Sequence, residues 1–263
     1  MKEYLDKYYT NPDVAMTCCN HFRKYINIDY NRDCIVEPSA GSGSFIISIN
    51  KLCKNSIFID IYPESPSIIK MNYLKMFPNT KDFKKIHVIG NPPFGFKASM
   101  AIKFIKHSCT FCDTFSFILP KSFDKYSMKN TVPKNFHLVF SFILPENSFY
   151  SNDKPYNIPC VFQIWEKRTY ERSRPKKIIP TNYTFLPTCK NADFAIRRVG
   201  YYAGNVFVSK LCTKNINTHY FIKLNNKINI SKISNIRMKS TNNVSGPKSI
   251  SKRDIVKHLN KIL

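Results

Sequence analysis

The apolar residues Val14, Cys18, Phe22 and Ile26 recur at every fourth position, a spacing that predicts one amphipathic helix. From Cys34 the pattern changes to short apolar runs separated by turns. Cys34 to Val36 reads as a strand that runs into a glycine-bearing turn, and the apolar residues from Phe45 to Leu52 continue as a helix. A second strand, Ser56 to Ile59, ends at Asp60, and a further run, Ile86 to Ile89, leads into Asn91, Pro92, Pro93 and Phe94. The helical stretch Lys97 to Ser108 follows, then the strand Thr114 to Leu119 ending at Pro120, then two apolar runs, Phe136 to Leu144 and Ile158 to Trp165. Strands alternating with helices predict an α/β fold with a largely parallel, Rossmann-like sheet. Beyond Pro180 the pattern becomes short β-like runs with Asn-rich turns, and Lys248 to Leu263 reads as one terminal basic helix. No internal repeat is visible.

Three of the predicted loops carry candidate chemistry. Strand, glycine turn, helix opens a nucleotide-type βαβ unit, in which Gly41 and Gly43 let the backbone approach a ligand. The third glycine of the dinucleotide fingerprint is missing, and Glu37 at the turn would repel a pyrophosphate but suits a cationic ligand. Asp60, at the tip of the second strand, is placed to hold a ribose diol; taken alone, such an acid is more often a cap or a solvated loop residue. In the third loop two consecutive prolines fix two φ angles and bias Asn91 toward an extended conformation. The Asn91 amide oxygen and the Pro92 carbonyl form a rigid acceptor pair suited to an exocyclic NH2 group, and Phe94 offers a face for a planar ring. Loops after neighbouring strands open into one crevice.

Charge and cysteine content then narrow the picture. The 263 residues carry a net charge of +24, unevenly placed: Lys167 to Leu263 hold 21 Lys and Arg against 3 acids, or +18, and the first 166 residues 20 against 14, or +6. Attraction to a polyanion follows, concentrated in the last third. The implied organisation is a catalytic domain over 1–166, a basic linker over 167–180 and a basic recognition region over 181–263. Met1 to Tyr9 has no signal-peptide core and no run approaches a membrane span, so a cytosolic or nuclear-type compartment is expected. Nine cysteines in mostly apolar surroundings fit a reduced state better than a disulfide framework. Cys109 and Cys112 form one CxxC without a second pair at zinc-site spacing, so no metal site is predicted, and Cys160 after Pro159 lies in an apolar strand and reads as core.

These loops, with the opening tyrosines, carry a family resemblance. The chain resembles S-adenosylmethionine-dependent amino-methyltransferases, most of all the DNA adenine-N6 methyltransferases of restriction-modification systems, bacteriophages and large DNA viruses, in their gamma-like motif order. Tyr9, Thr10, Asn11 and Pro12 look like the N-terminal cofactor motif of that family. Glu37, Pro38, Ser39, Ala40, Gly41 and Gly43, with Phe45 beyond, resemble its glycine loop. Asp60 and Ile61 are similar to its ribose-binding element, and Asn91 to Phe94 to its catalytic tetrapeptide. Asn72, Tyr73 and Leu74 stand where the family often has Asp-Phe-Leu, with an amide in place of the acid.

The resemblance implies a sheet closed by an antiparallel turn-back, S-adenosyl-L-methionine as cofactor with S-adenosyl-L-homocysteine as product, and double-stranded DNA as partner. An aromatic in the loop after Pro145 would wall the base pocket, and Phe149 is the candidate. Lys121, Arg197, Arg198 and His219 are the candidate nucleic-acid contacts, and a cognate restriction endonuclease accompanies many such enzymes. Two alternatives stay open: an RNA adenine-N6 methyltransferase, since the tetrapeptide is shared with such enzymes, and a non-catalytic nucleic-acid-binding subunit of the same fold. A Tyr-ending tetrapeptide serves protein glutamine methylation; Phe94 and the basic last third argue against that substrate.

Overall fold

The computed structural model describes residues 8–151, 154–173, 177–225, 233, 236, 238 and 248–263. The expectation for the first seven residues, and Arg174 to Lys176 of the expected linker, lie outside them. The chain divides into two compact units, Met1–Ser173 and Arg174–Leu263.

In chain order the first unit contains β1 (Tyr9–Thr10), α1 (Pro12–Tyr25), β2 (Cys34–Glu37), α2 (Ile46–Asn50), β3 (Asn55–Asp60), β4 (Ile69–Lys70), β5 (Ile86–Gly90), α3 (Ser99–Ser108), β6 (Thr114–Pro120), α4 (Tyr126–Lys129), β7 (Phe136–Ile143), β8 (Phe149–Ser151), β9 (Lys154–Tyr156) and β10 (Cys160–Lys167). The fourfold apolar spacing does form α1. Asn11 caps it, its side-chain oxygen accepting the Asp13 N–H at 2.9 Å. Pro12 fills the first turn, where no N–H is needed, and Arg23 and Lys24 lie in the last turn, where cations are favoured.

Seven strands form one sheet in the order β4-β3-β2-β5-β6-β10-β7. β4, β3, β2, β5 and β6 are mutually parallel, and β10 is inserted antiparallel between β6 and β7. The order reverses beside β2, and ligands of open α/β sheets bind at the carboxyl ends of the strands near such a point. β5 and β6 are buried along their whole lengths because both faces of the sheet are covered, which is why they read as continuous apolar runs. Alternate residues serve opposite layers: Ile35 packs with α1 and α2, and Cys34 and Val36 pack with α3. A separate three-stranded sheet, β1-β8-β9, joins Thr10 to Phe149 in antiparallel register.

The first part of the expected linker is held in this unit. β10 extends to Lys167, the Arg168 N–H donates to Asn135 O at 2.7 Å, and the Arg172 guanidinium donates to Val132 O at 2.8 Å and stands 5.0 Å over the Trp165 ring.

The second unit is a four-stranded antiparallel sheet, β11 (Tyr183–Leu186), β12 (Phe194–Arg197), β13 (Val206–Phe207) and β14 (His219–Leu224), ordered β11-β14-β12-β13, with α5 (Lys252–Leu259). α5 is shorter than the predicted terminal helix because Lys248 to Ile250 run extended beside Arg198 to Gly200, and Ser251 caps it. Its Ile255 and Leu259 pack against Tyr183, Phe194 and Ile222, so the segment is docked by its apolar face. Cys189 and Cys212 are disulfide-bonded, with their Cα atoms 5.1 Å apart, which corrects the expectation of fully reduced cysteines; the two lie in loops whose spacing along the chain gives no hint of proximity.

Candidate active site

The loop after β2 is shaped around Asp60. Gly41 takes φ +52°, and its N–H donates to Asp60 Oδ2 at 2.8 Å, while Asp60 Oδ1 accepts the Tyr62 N–H at 2.8 Å. The predicted ribose acid therefore also fixes the glycine loop. A Cβ on Gly41 would stand 3.5 Å from the Tyr9 ring, so Tyr9 lies directly on the loop; its hydroxyl donates to Glu64. The Ala40 N–H is bound by Ile59 O at 2.9 Å, which ties the loop to the end of β3.

Glu37, the last residue of β2, is 1% exposed, and its Oε2 is buried with no hydrogen-bond partner among the described residues. Burial, and next the negative charge of Asp60, push its carboxyl well above the ordinary range. Glu37 tucks beneath the end of β5 because Gly90 has no side chain: a Cβ there would stand 3.2 Å from Glu37 Cγ. Gly90 is a contributor that the sequence reading passed over. Its signal was a glycine ending an otherwise apolar strand.

The tetrapeptide is held from two sides. Ser39 Oγ donates to the Asn91 carbonyl oxygen at 2.9 Å, and Asn91 Nδ2 donates to Thr10 Oγ1 at 3.2 Å. Asn91 Oδ1 is then buried without a hydrogen-bond partner among the described residues. Ser39, read from sequence as a cofactor contact, is here a positioning group for Asn91. Pro92 is buried, Pro93 and Phe94 half-buried, and the Phe94 carbonyl accepts the N–H groups of Met100 and Ala101 at 3.0 and 3.3 Å. Between these anchors the chain makes a tight excursion in which Gly95, Lys97 and Ala98 all have positive φ (67°, 51° and 62°). For the two residues with a Cβ this conformation costs roughly 1–2 kcal/mol each.

Several predicted contacts have other placements. Phe45 and Phe149 are each 1% exposed and belong to the core on the α1 side; Phe149 pairs with Thr10, so its ring walls no base pocket. Tyr73 is 2% exposed, and its hydroxyl bonds Ser108 Oγ at 2.7 Å in the opposite core layer. Asn72 is exposed and caps a 3-10 turn, accepting the Leu74 N–H at 3.0 Å. Asn11 is used on its cap and on Tyr150, whose hydroxyl accepts from Asn11 Nδ2 at 3.2 Å, and Pro12 begins α1. Pro38 lies buried against Gly90, and Ile61 is exposed beside Asp60. Lys121 follows directly on β6, the neighbour of β5, and so shares the end of the sheet that carries Asn91.

In the second unit Arg197 is a structural donor, to Val199 O at 2.8 Å and Thr218 Oγ1 at 3.0 Å. His219 is 6% exposed, with Nδ1 3.1 Å from Asn215 O; burial lowers its pKa, helped by the Arg197 and Lys214 charges and opposed by the Asn215 carbonyl, and so disfavours its charged form. Arg198 is exposed, 5.2 Å over the Tyr220 ring, and remains available to an anion.

The cysteines that the sequence singled out carry no activated thiol. Cys160 is fully buried, its thiol pushed up to about 12 by burial, and burial likewise raises Cys109 and Cys112. Among the described residues no cluster of three His, Cys, Asp or Glu could hold a metal ion, and no helix is long and apolar enough to cross a membrane.

The strand order and the inserted antiparallel strand define an α/β, Rossmann-like sheet. The sequence matches no family model and no curated protein. Among solved structures the fold is similar to a protein from Listeria monocytogenes assigned as a class I S-adenosylmethionine-dependent methyltransferase, with 16% identity and a TM-score of 0.48 over 64% of each chain. It is also similar to one from Pyrococcus horikoshii assigned as an RNA methyltransferase (13% identity, TM-score 0.48, 64% of this chain and 91% of that one). An rRNA methylase from Streptococcus thermophilus shows 12% identity and a TM-score of 0.39 over 60% of this chain and 98% of its own. The chain thus spans slightly less than two thirds of the Listeria protein.

Proposed function

We propose that the chain transfers a methyl group from S-adenosyl-L-methionine to the N6 amine of adenine in double-stranded DNA. The observation that carries this reading is the pair of buried, unpartnered acceptors, Glu37 Oε2 and Asn91 Oδ1, at the carboxyl ends of adjacent strands β2 and β5. Eight buried side-chain N or O atoms among the described residues lack a partner, and these two stand together at the ends of adjacent strands, where each can accept a ligand donor. The residues fit the cofactor. Glu37, which holds its proton in the unliganded fold, would release it when a cation binds and supply buried negative charge there, Asp60 retains acceptor capacity at the tip of β3 for a diol, and the open backbone of Gly41 permits close approach.

The cofactor, when bound, supplies an electrophilic methyl group. Asn91 Oδ1 and the Pro92 carbonyl accept the two hydrogens of the target amine, which favours a pyramidal nitrogen with its lone pair withdrawn from the ring. The same two oxygens stabilise the positive charge that develops there as the N–C bond forms and the methyl's bond to the sulfonium sulfur breaks, one amine proton is lost to solvent, and no covalent intermediate with the protein is needed. Phe94 stacks on the extruded base and recovers part of the few kcal/mol, in order of magnitude, that unstacking costs. Ser39 and Thr10 hold the Asn91 backbone and amide, so the acceptor is in place before the base arrives. Basic residues of both units supply phosphate contact, which makes binding fall steeply with salt.

The test is transfer of labelled methyl to unmethylated duplex DNA and, in parallel, to structured RNA, with identification of the modified nucleoside. N6-methyladenine in DNA supports the reading; label only in RNA would keep the roles of Asn91 and Glu37 and discard the substrate. Cofactor binding without transfer to either would point to a protein substrate or a missing partner, and no cofactor binding at all to a non-catalytic nucleic-acid-binding subunit of this fold.

A further inference from the structure

Two residues beyond the tetrapeptide, Phe96 is 80% exposed, the highest value among the exposed large apolar side chains of the described residues. Its position is not a loose end. The Phe94 carbonyl holds the Met100 and Ala101 N–H groups, the Ala98 N–H donates to Gly95 O at 3.1 Å, and three residues of positive φ turn the chain sharply between those anchors. Strain of that kind persists only where the surroundings impose it, and it clusters at working sites. Gly95 belongs to the same device: a Cβ there would come within 2.8 Å of Met100 Cγ, so the turn closes only around a glycine. The effect is a short, braced finger that presents an aromatic ring to solvent beside the group that receives the target base. Lys97 Nζ lies 5.0 Å over that ring, giving the tip a cation as well as a planar apolar surface.

We infer that Phe96 is a wedge that enters the base stack of duplex DNA next to the target adenine, with Lys97 on a flanking phosphate; this rests on the DNA reading above. Apolar side chains that insert between base steps unstack them and ease extrusion of a nucleotide. The partner is identified by the chemistry of the tip. A flat ring with a cation over it fits stacked bases edged by phosphates, and Lys121 adds positive charge at the same end of the sheet. Phe94 and Phe96 then divide the work: the first receives the extruded base, and the second fills the gap it leaves.

The experiment compares wild type with Phe96→Ala and Phe96→Leu on two duplexes that differ only opposite the target adenine, which faces thymine in one and an abasic site in the other. Because the wedge acts by opening the stack, Phe96→Ala should lose about 10–100-fold in kcat/KM on the paired duplex and stay within about threefold of wild type on the abasic one. Phe96→Leu should keep most of the paired-duplex activity, since an apolar side chain of similar reach still inserts. Lys97→Ala should weaken DNA binding and reduce the salt slope by about one unit. Equal loss by Phe96→Ala on both duplexes, no loss on either, or weakened S-adenosylmethionine binding would overturn the wedge, the last by making the ring a cover for the cofactor. Wild-type protein that binds cofactor but methylates neither duplex overturns the DNA reading and the wedge with it, whereas an active wild type beside an unaffected variant overturns the wedge alone.

Discussion

The Ser39 hydroxyl donates to the Asn91 carbonyl oxygen at 2.9 Å, joining the glycine loop to the tetrapeptide across 52 residues of sequence. Asn91→Ala should lower kcat by about 10²–10³-fold, the usual cost of removing one preorganised polar group, with cofactor affinity unchanged. Ser39→Ala leaves the acceptor in place but loosens it, so its loss should be nearer tenfold, in kcat more than in KM. Single-turnover methylation with saturating cofactor separates these effects; an unchanged rate in Asn91→Ala would sink the mechanism.

Glu37 should make stability and cofactor binding depend on pH in opposite senses. Its folded-state pKa lies well above the ordinary carboxylate value, through burial and then the Asp60 charge. Between the ordinary value of about 4.3 and that raised value the folded chain holds a proton that the unfolded chain has released, so stability falls as pH rises through this window. Glu37→Gln removes that dependence: its melting temperature should match wild type near pH 4 and exceed it at pH 8. The same variant should lose at least about tenfold in S-adenosylmethionine affinity, since an amide cannot supply the charge. Thermal melts at both pH values with and without cofactor test both statements. Wild-type stability that rises between pH 5 and 8 while the variant's stays flat would contradict the assignment.

Gly204 has φ +94°, and a Cβ there would meet Met238 O at 2.1 Å, where the Met238 N–H already donates to Gly204 O at 3.1 Å. Gly204→Ala should cost the second unit at least about 3 kcal/mol, because both the backbone conformation and the backbone contact are lost. Urea unfolding of the purified variant reads this directly, and a midpoint equal to wild type would refute it.

Reduction of Cys189–Cys212 opens a loop of 23 residues in sequence separation and should cost the second unit about 3 kcal/mol. Denaturant unfolding with and without a phosphine reductant, against Cys212→Ser as control, provides the measurement. A reductant effect of equal size in the variant would place its cause elsewhere.

Much of the first unit was legible in sequence, because β2, β5 and β6 are short apolar runs closed by Gly, Pro or an acid and α1 carries strict fourfold spacing. The loops at Glu37, Asp60 and Asn91 were legible for the same reason: their residue types are unusual at strand ends. The burial of Tyr73 and Phe149 was not, since an aromatic beside a motif reads alike whether it faces a ligand or the core, and only long-range pairing with Ser108 or Thr10 decides. The Cys189–Cys212 bond and the packing of α5 were hidden for a related reason. Both depend on which strands of the second unit become neighbours, and its two- to six-residue strands carry too little periodicity to tell.

β1 is only two residues long, yet its Thr10 holds the Asn91 amide and its partner in the sheet is β8, some 140 positions later. The Asn11 N–H and side-chain amide reach the same late segment, at Ser148 and Tyr150. A nascent chain can therefore build β2, β3 and β5 while the first helix waits at hand, but it cannot lock the acceptor until the hairpin of β8 and β9 has left the ribosome. Assembly of the candidate site is thus a closing event of high contact order, and a fragment ending before Phe149 would carry every motif of the site without the brace that joins them.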